Sequence, residues 1–130
     1  MSDVTEPADD RMVLIRAMVA IARADGNVDA SEEARIRQIC SFLRLDAAME
    51  GEVAAMLAPN APVPQLPDPS ELPAYEVRLY VFQQALMMAF ADGVIDTQER
   101  ELTERLAEAL QLAPRHIEVA WRRAEEMTER

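Results

Sequence analysis

"ARADGNVDASEEA" (residues 22–34) and "AFADGVIDTQERE" (residues 89–101) carry one pattern twice: Asp25-Gly26, Asp29 and Glu32, then Asp92-Gly93, Asp96 and Glu99. A shift of 67 positions, Asp25 to Asp92, relates the copies. The same shift lays Ala22 on Ala89, Ala24 on Ala91, Leu43 on Leu110 and Leu45 on Leu112. The register therefore runs beyond the acidic stretch through the next segment, and the chain reads as an internal repeat.

The segments flanking the pattern predict helices. Before each Asp-Gly lies a segment that is apolar nearly all round, over residues 9–24 and 71–91, as expected of helices buried at the centre of a domain. After each lies an amphipathic segment, over residues 30–44 and 97–111. In the first of these Ile36, Ile39, Cys40 and Leu43 face inward, and Glu33, Arg37 and Arg44 face outward. A third helix is expected from about Asp46 in one half and from Pro114 in the other, where proline suits a first helical turn. Six of the eight prolines fall between Pro59 and Pro73, where missing N–H groups and fixed φ angles disfavour regular structure. The expectation is an all-α fold of about six helices in one domain over residues 1–130: repeat one over 12–57, a Pro-rich linker over 58–70 and repeat two over 71–130. The methionines at helical spacing read as core filler.

Composition agrees with a packed helical domain: half of the residues are apolar and 28% are charged, which argues against disorder. The net charge is −11, and all 13 basic residues are arginines, so the chain lacks the basic surface that phosphate binding needs. Nucleic acid is thereby disfavoured, and a cation or a basic protein surface is the more natural partner. The longest apolar stretch, Met12–Ala24, is interrupted by Arg16 and Arg23 and is too short to span a bilayer, so no membrane partner is expected. The acidic start "MSDVTEPADD" does not read as a signal peptide, and the expected location is the cytoplasm. The single cysteine, Cys40, reads as a small core residue. With one histidine, His116, and no residue nearby in sequence to act with it, no nucleophile–base pair is legible and no enzyme is expected.

The acids of the repeat admit two readings. Gly26 and Gly93 suit the left-handed residue that closes a helix. Asp29-Ala30-Ser31-Glu32 and Asp96-Thr97-Gln98-Glu99 have the form of capping boxes, each cap contributing about 1 kcal/mol. Asp25 and Asp92 escape this account, because a carboxylate at a helix C-terminus faces carbonyls of like sign, at a cost of about 0.3–1 kcal/mol. An Asx turn offsets that cost, and so does a bound divalent cation such as Ca²⁺, Mg²⁺ or Mn²⁺. An EF-hand is excluded, since its two earlier ligand positions are Ile21 and Arg23 in one copy and Met88 and Phe90 in the other. Whether the two loops meet depends on how the central helices pack, and the linker is long enough for either arrangement.

With Ala24-Asp25-Gly26, Asp29 and Glu32, then Ala91-Asp92-Gly93, Asp96 and Glu99, at the junction of a buried and an amphipathic helix, the chain resembles the tellurite-resistance TerB-like family. The resemblance runs from about Met12 to Leu112. It implies a bacterial cytoplasmic helical module for stress or metal-oxyanion response, with Asp25, Asp29, Glu32, Asp92, Asp96 and Glu99 as divalent-cation ligands. The alternative is a protein-interaction or scaffold module in which those acids only cap helices.

Overall fold

The computed structural model describes residues 9–24, 28–90 and 95–128. Six α-helices succeed one another: α1 (Asp10–Ala22), α2 (Ala30–Leu43), α3 (Ala47–Leu57), α4 (Tyr75–Ala89), α5 (Thr97–Ala109) and α6 (Pro114–Thr128). No strand occurs among the described residues. The linker departs from expectation at one place, a 3-10 turn over Pro69–Glu71. Asp68 accounts for it, since its side chain accepts the Ser70 N–H at 2.8 Å just before a proline whose φ is already helical.

The expected buried pair is α1 and α4, which pack on each other more extensively than any other two helices. Helix α1 buries Val13, Leu14, Ile15, Met18, Val19 and Ile21 almost completely, and α4 contributes Val81, Phe82, Leu86 and Met88. Helix α1 is surrounded on nearly all sides and needs no polar face, whereas α4 exposes Glu76 and Tyr80 in its first half. Arg16 and Arg23, which interrupt the apolar stretch of this first segment, are accommodated without being left bare. Arg16 forms an ion pair with Glu71 of the 3-10 turn. Arg23, only 8% exposed, donates to the carbonyls of Ala58 at 2.9 Å and Ala61 at 2.7 Å. The chain leaving α3 is thus tied to the end of α1.

The 67-residue register recurs in the backbone. Arg44 and Gln111, equivalent under the shift, are the two non-glycine residues with positive φ among those described, at 55° and 54°. Both come after an amphipathic helix, and both precede a buried leucine, Leu45 and Leu112. In the third helices, Val53 and Ala120 are equivalent and both buried. Of the methionines, Met18 and Met88 fill the core as expected, whereas Met12, Met49 and Met56 are only half-buried. No described helix is long and apolar enough to cross a membrane.

Candidate functional site

Both capping boxes are formed. At the start of α2, the Asp29 carboxylate accepts the Glu32 N–H at 2.8 Å and the Glu32 carboxyl accepts the Asp29 N–H at 3.1 Å. At the start of α5 the same exchange joins Asp96 and Glu99, at 2.7 Å and 3.4 Å. Each box satisfies two helix-start N–H groups that would otherwise lack partners. Thr103, fully buried one turn into α5, returns its hydroxyl to the Glu99 carbonyl at 2.9 Å and stiffens that start further.

A capping glutamate ordinarily lies at the surface, but here both are buried, Glu32 at 5% and Glu99 at 6% exposure. They are also neighbours. Burial, first, and then the adjacent Glu32 carboxyl push the Glu99 carboxyl up to about 9, with the Asp96 carboxylate adding to the effect and the Asp96 N–H opposing it. Glu99 Oε2 is buried and meets no hydrogen-bond donor among the described residues other than a proton shared with the Glu32 carboxyl. Two like carboxyls in a dry site cannot both ionise cheaply, so the pair holds a proton at neutral pH or attracts a cation in its place.

The six predicted ligands therefore fall into three classes. Asp29 and Asp96 are engaged as caps, with their side chains turned to backbone N–H groups. Glu32 and Glu99 cap too, but meet each other across the two repeats. Asp25 and Asp92 lie outside the described residues. The starts of α2 and α5 bring Glu32 beside Glu99. As for fit to a metal, no group of three or more His, Cys, Asp or Glu able to hold an ion is assembled among the described residues. Glu32 and Glu99 supply hard oxygen donors, a partial shell that water would have to complete.

Sequence reasoning missed the burial of this glutamate pair, because the capping-box pattern is the same whether the helix start faces solvent or another helix start. It also missed a partner for His116. The Tyr75 hydroxyl lies 2.6 Å from His116 Nδ1 and accepts the Ala113 N–H at 2.9 Å, so the histidine is a half-buried packing residue at the entry to α6. Cys40 lies half-buried against the core, and burial pushes its thiol up, away from the reactive thiolate.

Comparisons with curated proteins and with solved structures find no match to this chain. A family model described as "Protein of unknown function (DUF533)" matches residues 2–120. The match covers both capping boxes and every helix except the second half of α6, and the chain belongs to the DUF533 family.

Proposed function

We propose that this chain is a non-enzymatic bacterial stress-response module, TerB-like in kind, whose repeated acidic turns bind a divalent cation. The observation that carries the reading is the burial of the Glu32 and Glu99 carboxyls against each other, with no basic side chain paired to Glu99 among the described residues. A buried acid pair with a displaceable proton is a cation site of low intrinsic occupancy, suited to sensing rather than to permanent structural loading. Asp25 and Asp92, which the caps do not use, are the further ligands, and Asp29 and Asp96 orient the glutamates from behind.

The test is a thermal melt at neutral pH with millimolar Ca²⁺, Mg²⁺ or Mn²⁺. A cation that binds the folded form alone raises the melting temperature, by the equivalent of about 2.7 kcal/mol when it is present at 100 times its Kd. Glu99→Gln, and Asp25→Asn combined with Asp92→Asn, should each abolish the rise. Because binding displaces the Glu99 proton, the rise should be larger at pH 8 than at pH 6. No shift with any of the three metals overturns the proposal. The closed geometry of both capping boxes favours a second reading, in which the acids serve only as caps and the module acts through protein contacts. That reading predicts the flat melt.

A further inference from the structure

Helix α3 is apolar at both ends around a central Glu50-Gly51-Glu52, yet Val53 is its one buried residue. Beside it, between α1 and the 3-10 turn, runs a groove of about 640 Å³. Three half-buried methionines, Met12 from α1 and Met49 and Met56 from α3, line it. Met49 and Met56 stand two helical turns apart, a spacing of roughly 10 Å. Thioether side chains are unbranched and polarizable, and they adapt to differently shaped apolar anchors.

Acids dominate the rim. Asp9 is paired with Arg11, and Glu71 with Arg16, so those four charges balance. Asp46 caps α3 by accepting the Met49 N–H at 2.8 Å, and Glu52 makes no ion pair among the described residues. The groove is thus apolar at its floor and negative in surplus at its edge. A second copy of this chain, itself at −11, is a poor match for it.

We propose that the groove between α1, α3 and the 3-10 turn docks a basic amphipathic helix of a partner protein. Apolar anchors one and two turns apart would enter the methionine floor, and flanking Lys or Arg would meet Glu52 and Asp46. The groove shares no residue with the Glu32–Glu99 pair, so docking stands or falls independently of cation binding.

The test uses the full chain with ¹³C-labelled methionine methyls, titrated with a synthetic leucine–lysine peptide whose leucines recur at helical spacing. The Met12, Met49 and Met56 methyls should shift, while those of Met18 and Met88 in the core stay in place. A glutamine–lysine peptide of equal charge should shift none. Glu52→Arg should weaken binding about threefold or more, the scale of one exposed charge pair. Glu104→Arg, an equal charge change at an exposed position on α5, should leave binding unchanged. Unmoved groove methyls, or equal weakening by the two charge reversals, overturn the proposal. Groove methyls that shift on dilution of the protein alone overturn it in favour of a second copy.

Discussion

Helices α3 and α6 stand in the same register of the repeat, yet α3 ends at Leu57 and α6 continues to Thr128. Each packs against the central helix of its own half, and each buries the equivalent position, Val53 in one and Ala120 in the other. The divergence begins at an equivalent pair on the central helices. In the first half Pro59 follows Ala58 and stops α3, and Arg23 donates to the Ala58 carbonyl just past that end. In the second half that position is Phe90, which packs edge-on against Trp121 of α6 at 5.5 Å. Arg100 lies over the same indole at 4.9 Å. Prolines end one helix, and an arginine ties its end to α1, where the equivalent position in the other half makes an aromatic contact with a helix that continues. One repeated register therefore supports a short helix beside a methionine-lined groove of about 640 Å³ and a longer amphipathic helix whose groove against α4 is smaller, about 360 Å³.

The sharpest way to break this comparison is to place one charge at equivalent sites in the two helices. Ala124 of α6 is fully buried, and its equivalent Leu57 is half-buried against the core. Ala124→Asp should cost about 3 kcal/mol or more, through an unpaired buried carboxylate, and Leu57→Asp about half of that. Urea midpoints measure both, and equal losses would mean that α3 is as tightly docked as α6. Next in size is Arg23→Met, which leaves the Ala58 and Ala61 carbonyls without their donor and should cost about 2 kcal/mol. Proteolysis within the Pro-rich linker should accelerate in the same variant, because the tie between linker and α1 is lost.

Where the halves agree, at the buried glutamates, the expected effect depends on pH. Folding raises Glu99 from 4.5 to about 9, so across that window the native state keeps a proton that the unfolded chain has released. Stability from this group is complete below 4.5 and is lost as pH rises through 9, at no more than about 1.4 kcal/mol per pH unit. Glu99→Gln keeps the cap acceptor and removes the titration, so its gain over the parent protein should grow from pH 5 to pH 8. A gain independent of pH would sink the shared-proton account. The smallest effect is expected at Arg44 and Gln111, whose left-handed backbone suits glycine. Arg44→Gly and Gln111→Gly should each stabilise by about 0.5 kcal/mol, and by similar amounts if the repeat is conformationally faithful.

Helix positions were legible because they depend on local rules. Asp29 and Asp96 read as caps from their spacing to Glu32 and Glu99, and both boxes are present. Pro114 read as a first-turn residue and opens α6. Less was legible at the candidate site, since the pattern of Glu32 and Glu99 says what each carboxyl bonds in its own helix and nothing about what lies opposite. Met12, Met49 and Met56 read as filler because periodicity identifies the apolar face of a helix but not whether another element covers it.

By itself, the sequence determined an all-helical chain with a duplicated capped turn, because capping, periodicity and proline breaks act over a few residues. Only the tertiary structure decided that the two helix starts meet, with Glu99 driven to hold its proton, and that Arg23 ties the chain leaving α3 to α1 beside a half-buried methionine floor. Those outcomes depend on residues tens of positions apart entering one low-dielectric space, where a charge costs what its new neighbours make it cost.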